Sequence, residues 1–321
     1  MLFIIPAAAL VGLGASLSAL ISRKLLTYKP PKVWKHEQQG GTWGHLNKPT
    51  AGPQSEKDLP RGEHPLQLHS LGTPNGVKVT VLLEELNLLY GVEYDAYLVN
   101  IGSGDQFTSG FVGVNPNSKI PALLDYSKGD TTEPTRVFES AAILLHLCEQ
   151  FDTKNSFMPP VGHPMRAECL SWLMWTQGSA PFLGGGFGHF FNYAPVKIKY
   201  AIDRYSMETK RQMDVLERHL GGVSEGGGAG GPFLCGDQYT IADMACWPWY
   251  GALVLGRLYT GSDEFLELEK YTNVIEWAKR IDAREGVRRG RIVNKTWGAP
   301  EEQMKERHSS NDFVSTEEKK D

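Results

Sequence analysis

Thr73, Asn75, Glu139 and Ser140 are the residues whose types and settings could do chemistry in this chain. Thr73 and Asn75 lie in Ser70-Leu71-Gly72-Thr73-Pro74-Asn75-Gly76. A short alternating run, Leu66, Leu68 and Ser70, precedes this stretch and reads as a strand. Val77, Val81, Leu82, Leu86 and Leu89 follow near helical spacing. The turn between them places a hydroxyl and a side-chain amide at a helix N-terminus. Backbone N–H groups and the positive end of the helix dipole favour an anion there, and a bound thiol would be held as its thiolate. A free thiol has a pKa of roughly 8.5, and lowering it by about two units takes ~2.7 kcal/mol of preferential thiolate stabilisation. Hydrogen-bond donors at a helix start can supply that. The same residues also suit an ordinary helix start, with Thr73 as N-cap, Pro74 at the first helical position and Asn75 in the turn. The two roles are compatible. Ser70 is a second candidate donor.

Phe138-Glu139-Ser140 opens another helical pattern, from about Ala141 to Phe151. Ser140 can cap it, and free N–H groups at its start suit a carboxylate. Glu139 can accept from an ammonium, so the pair suits a zwitterion.

Composition narrows the class without identifying it. The 321 residues suit about two domains, and the net charge of −4 is mild. Lys and Arg do not gather into a basic stripe, so a nucleic-acid partner is not expected. Cys148, Cys169, Cys235 and Cys246 have neither CxxC nor metal-like spacing and sit in apolar or helical settings. They read as buried free thiols in a reducing compartment, and no metal is expected.

Residues 2–21 carry no charge, and twenty residues as a helix just span a bilayer core of ~30 Å. Arg23, Lys24, Lys29, Lys32 and Lys35 follow before the first acid, Glu37. The positive-inside rule then places the rest in the cytosol. The expectation is a membrane-anchored protein, on the endoplasmic reticulum or the mitochondrial outer membrane, with residues 1–29 as anchor. Organelle or secretory targeting is the alternative.

Residues 30–63, rich in Pro and Gly, read as an extended arm. Residues 64–152 form one domain, 153–161 a linker and 162–295 a helical domain. A charged tail, 296–321, is expected to be poorly ordered unless it docks. Ile202, Tyr205, Thr209, Met213, Leu216 and Leu220 make a core stripe. Gly221 to Pro232 reads as a surface loop. Thr240 and Asp243 form a capping box whose loss should cost on the order of 1 kcal/mol. Pro181 to His189 is glycine-rich but lacks the Gly-Lys-Ser/Thr ending of a phosphate loop. It reads as a close-packed or broken helical turn lining a substrate site. His189 could be a general base, although a packed histidine is the simpler reading.

Three strings carry a resemblance. They are Leu71-Gly72-Thr73-Pro74-Asn75-Gly76, Pro181-Phe182-Leu183-Gly184-Gly185-Gly186-Phe187-Gly188-His189 and Arg288-Arg289-Gly290-Arg291-Ile292-Val293-Asn294. With Lys119-Ile120-Pro121 before a strand, the Glu139-Ser140 pair and Gly236 to Asp243, they resemble the nu-class glutathione transferases of bacterial disulfide-bond-reductase type. The regulator of yeast nitrogen catabolism is related to these. The resemblance spans roughly residues 30–315. It implies an α/β thioredoxin-like N-terminal domain plus an all-α C-terminal domain, behind the N-terminal hydrophobic segment.

It also implies a glutathione-dependent disulfide-bond reductase and transferase. Thr73 and Asn75 would stabilise the thiolate, where many relatives use Tyr, Ser or Cys. Glutathione would be a co-substrate, with no permanently bound cofactor, and two molecules could share a site. The second substrate would be a small disulfide, peroxide or electrophile, and the protein a homodimer. Pro121 would be a cis-proline exposing the Ile120 backbone to the cysteinyl part of glutathione. Lys119 could meet a glutathione carboxylate. Asn47 and Gln106 match glutathione-contact positions, and Gln177 and Arg204 match positions around the second glutathione. The other reading is a non-catalytic glutathione-binding regulator.

Overall fold

The computed structural model describes residues 29–38, 40, 41, 44, 46, 48–128, 133–222 and 230–313. Residues 29–38 belong to one unit, ending at Gln39, and form no regular element. Everything from Gly40 onward belongs to a second unit.

The membrane anchor expected over residues 2–21 is corrected here, and the membrane-anchored localisation with it. Among the described residues no helix is long and apolar enough to cross a membrane. The segment itself lies outside the described residues.

The second unit begins with a thioredoxin-like α/β lobe. A four-stranded mixed sheet runs in the order β2-β1-β3-β4, formed by β1 (Leu66–Ser70), β2 (Tyr94–Leu98), β3 (Ala122–Asp125) and β4 (Thr135–Phe138). β1 pairs parallel with β2 and antiparallel with β3, and β3 pairs antiparallel with β4. Helix α1 (Pro74–Tyr90) connects β1 to β2, α2 (Ser109–Val114) precedes β3, and α3 (Ser140–Phe151) follows β4.

The alternation expected of β1 does not make it half-exposed, because all five of its residues are buried. Part of the arm is bonded to the same lobe. Gln54, Ser55 and Lys57 exchange backbone hydrogen bonds with Phe107, Ser109 and Gly110, and the His64 N–H donates to Asp95 Oδ2. Residues 54–57 of the arm are therefore bonded to this lobe rather than part of a free tether.

The charged tail packs at the β2 edge of the sheet. Arg307 is fully buried, pairing with Glu84 at 3.1 Å and Glu93 at 2.6 Å, and its guanidinium stacks 4.0 Å over the Tyr94 ring. Its backbone pairs with Ala96 across the sheet edge. Residues 301–313 thus belong to the fold. A buried arginine with two carboxylates and a stacked ring is held much more firmly than a solvated charge run.

The helical lobe comprises α4 (Pro164–Pro181), α5 (Lys199–Leu220), α6 (Ile241–Cys246), α7 (Thr272–Asp282) and α8 (Glu285–Gly290). Between α4 and α5 the glycine-rich run Phe182–Tyr193 is wound as a π-helix. The capping box at α6 is present, with the Thr240 N–H donating to Asp243 Oδ2 at 3.0 Å. Asp243 does more than a cap. It is fully buried and also accepts from the Leu234 N–H and the Trp277 indole, both at 2.9 Å. Burial still pushes its carboxyl above the usual range.

The lobes are joined close to the turn that starts α1. Arg284 grips Glu85 with two hydrogen bonds, and the Thr80 hydroxyl donates to Gly290 O at 2.7 Å. Asn294 O accepts from the Gly72 N–H at 2.9 Å, so the Arg288 to Asn294 string buttresses the turn from below.

Candidate functional site

Helix α1 starts as its residues dictate. Thr73 is the N-cap in extended conformation, Pro74 takes the first helical position, and the Thr73 hydroxyl accepts from the Gly76 N–H at 3.5 Å. Only glycine fits at position 76, since a Cβ there would lie 2.0 Å from Leu71 O. The Thr73 oxygen accepts this long cap bond and keeps its own proton free to donate elsewhere.

Asn75 is oriented by a residue far along the chain that no local motif announces. The Trp249 indole N–H donates to Asn75 Oδ1 at 3.2 Å. An indole is only a donor, so the atom facing it must be the oxygen, and the amide NH2 is left to face the cavity. Gly184 makes room for this ring, because a Cβ there would lie 2.6 Å from it. The glycine-rich run thus serves to let Trp249 reach Asn75.

Opposite this turn, α3 starts at Ser140 after Glu139, whose φ of 71° lies in the left-handed region. Such strain at a non-glycine residue marks positions held for a purpose. Ser140 does not cap the helix, as its hydroxyl is turned to Gln177 Oε1 (3.4 Å), and the helix start has no side-chain cap. Its N–H groups remain open to a ligand. The Asn117 amide reaches Glu139 Oε1 at 3.5 Å.

These two helix starts face one cavity of about 500 Å3. Its lining brings together Thr73, Asn75, Gln106, Lys119, Ile120, Pro121, Glu139, Ser140 and Gln177, all expected from the sequence, and adds Trp249. The Ile120–Pro121 peptide bond is cis. Two polar atoms in the lining, Gln106 Oε1 and Gln177 Nε2, are buried without a partner among the described residues. Groups of that kind call for a ligand or water.

Not every expectation is met. Arg204 is exposed on α5 and outside the cavity lining. Ser70 is fully buried and also outside it, with its hydroxyl on Leu71 O. His189 packs edge-on against Phe190 and does not line the cavity, so it is no general base there. Asn47 lies outside the described residues. The four cysteines are all buried, and none lines the cavity. Cys246 is pushed up to about 12 by burial. Among the described residues no group of three or more His, Cys, Asp or Glu is placed to hold a metal ion.

The arrangement can stabilise a thiolate at one end and grip a zwitterion at the other. The donors at the first end are a hydroxyl, an amide and a helix N-terminus, and no cysteine lines the cavity.

Comparison with known proteins agrees with this geometry. The family description "Glutathione S-transferase, N-terminal domain" matches residues 73–150, and "Glutathione S-transferase, C-terminal domain" matches residues 199–280. The disulfide-bond oxidoreductase YghU of Escherichia coli (strain K12) is 54% identical over 92% of this chain and 98% of its own length. The crystal structure of glutathione transferase YghU from Streptococcus pneumoniae ATCC 700669, complexed with glutathione, superposes with a TM-score of 0.77 at 52% identity, covering 84% of this chain and 99% of that one. A glutathione transferase family member from Pseudomonas fluorescens pf-5, with two glutathione bound, superposes with a TM-score of 0.61 at 35% identity, covering 70% and 92%.

Proposed function

Because the chain belongs to the glutathione S-transferase family, we infer that it is an enzyme, a glutathione transferase that reduces disulfide bonds with glutathione as co-substrate. The observation that carries this reading is the single cavity in which Thr73 and Asn75 face Glu139 and Ser140 with no cysteine between them. An enzyme built so must borrow its thiol.

The roles follow from the chemistry of each group. Glu139 accepts from the γ-glutamyl ammonium. Ser140 and the open start of α3 take the adjoining carboxylate. The Ile120 backbone, next to Pro121, pairs with the cysteinyl segment as an added strand would. Lys119 and Gln106 meet the remaining polar groups, and Asn47 of the arm completes the subsite. Thr73 and Asn75 donate to the sulfur. Gln177 serves a second glutathione, and Arg204, exposed on α5, is assigned to the same molecule by its position in the sequence. Residues 64–152 carry recognition of the first glutathione, residues 162–295 cover the second substrate, and the working unit is a homodimer.

Chemistry then proceeds by two exchanges. The bound thiolate attacks one sulfur of a disulfide, forming a mixed disulfide, and the other sulfur leaves as thiolate and takes up a proton. A second glutathione thiolate attacks the glutathione sulfur of the mixed disulfide. Glutathione disulfide forms, and the second thiol is released. The nucleophile in each step must be the thiolate, and its basicity sets both its population and its strength.

The test is turnover of bis(2-hydroxyethyl) disulfide with glutathione by the full chain. One glutathione disulfide is expected per substrate reduced, saturable in both reactants. Glutathione binding without turnover would overturn the enzyme reading and favour a glutathione-binding regulator.

A further inference from the structure

Lys78 is a charge that the roles above leave unused. It lies one helical turn beyond Asn75 on α1 and is 1% exposed. The other buried charges of this helix are matched, Glu84 by Arg307 and Glu85 by Arg284. Lys78 has no ion pair among the described residues. Its one hydrogen bond there is from Nζ to Ser140 Oγ at 3.4 Å.

Ser140 lies in the cavity wall, and its hydroxyl passes the contact on to Gln177. The ammonium therefore sits directly behind the uncapped start of α3. Two positive features, a buried cation and a row of open N–H groups, converge on one point from different elements. Among the described residues Lys78 has no carboxylate paired with it, and Glu139, beside the helix start, is exposed.

We propose that Lys78 is a positioning residue that supplies the buried counter-charge for the α-carboxylate of the ligand's γ-glutamyl end, acting through the Ser140 hydroxyl. Burial pulls Lys78 down to about 8, with Cys246 and Glu139 acting the other way, so it still carries its charge near neutral pH. A buried ammonium without a partner is costly, and a hydrocarbon side chain of the same length would suit the empty protein better. The residue makes sense as a charge held at the expense of stability until an anion arrives. This inference rests on the glutathione reading above.

The experiment compares the wild-type chain with Lys78→Met, using glutathione and 4-aminobutyryl-cysteinylglycine, which keeps the amine and lacks the α-carboxylate. The variant without ligand is expected to melt at the same temperature or higher. Its KM for glutathione should rise at least about tenfold, while kcat at saturation stays within about threefold. The wild type should bind the analogue more weakly than glutathione, whereas the variant should bind the two nearly alike, which is the mark of coupling. A variant that melts lower and discriminates the two ligands as the wild type does would overturn the proposal. Should Lys78→Met fail to fold, equal binding of both ligands by the wild type would overturn it as well. A wild type that binds neither ligand overturns the glutathione reading itself, so the two failures are told apart.

Discussion

Replacing Thr73 by valine separates its two roles, because it removes the hydroxyl and keeps the shape. As a cap, the hydroxyl accepts from Gly76 at 3.5 Å, a long bond, so its loss should cost only about 0.5–1 kcal/mol of stability. As a donor to a thiolate it makes a charge-assisted bond worth about 1.5–3 kcal/mol. At 1.36 kcal/mol per unit, the bound thiol should rise by about 1–2 units in pKa. Taking a rise from about 6.5 to about 8, the thiolate fraction at pH 7 drops roughly eightfold. The more basic thiolate is also the stronger nucleophile, which returns a factor of about five. The net loss is then only about twofold at pH 7 but about fivefold at pH 6, and the variant overtakes the wild type above about pH 7.5. The assay is kcat for disulfide reduction from pH 5.5 to 9, corrected for the uncatalysed exchange, with urea unfolding in parallel. Thr73→Ser, which keeps both roles, should trace the wild-type curve. A valine variant that loses stability yet shows an unshifted pH profile would refute the donor role and leave Thr73 a cap.

The remaining predictions concern single contacts. Asn75→Ala should raise the pKa of the bound thiol by about one to two units, whereas Trp249→Phe, which removes only the bond orienting the amide, should raise it by under about one unit. In the Asn75→Ala background the Trp249 change should have no further effect, and a full additive effect would break the proposed link. Arg307→Ala leaves Glu84 buried and unpaired, so urea unfolding should show a loss of about 3–5 kcal/mol. A loss under 1 kcal/mol would mean that the tail is not held as described. His69 is buried with neither ring nitrogen partnered among the described residues, and burial pulls it from 6.5 down to about 4. The unfolded chain therefore takes up its proton first, and stability is full above about pH 6.5 and falls as pH drops toward 4. Between pH 7.5 and 5 this one group should account for about 2 kcal/mol, which His69→Phe should abolish. An unchanged acid slope in that variant would count against it.

Much of the site was legible because it is local. The turn Gly72 to Gly76 carries its own cap, its own proline and the glycine that its close backbone approach demands. Glu139 and Ser140 announce a helix start within two residues. The groups that tune these residues come from far along the chain. Trp249 is 174 residues from Asn75, and Lys78 is 62 residues from Ser140, so no spacing rule could join them. The capping reading of Ser140 failed for the same reason, since Lys78 and Gln177 already engage its hydroxyl. Arg204 matched by position but projects from an exposed part of α5. Whether the charged tail docks could not be read, because composition shows charges and not their partners, and Arg307 finds Glu84 and Glu93 far back along the chain. The apolar run over residues 2–21 read as an anchor on its length, its lack of charge and its basic flank; that reading is not supported, since no helix among the described residues is long and apolar enough to cross a membrane and the run lies outside them.

The central claim is that this protein makes a glutathione thiolate with a hydroxyl, an amide and a helix start. Its most direct test is the pKa of the bound thiol, read from thiolate ultraviolet absorbance on the full chain saturated with glutathione. The expected value is about two units lower than the roughly 8.5 of a free thiol. A bound thiol that still titrates near 8.5 in an enzyme that turns over would contradict it.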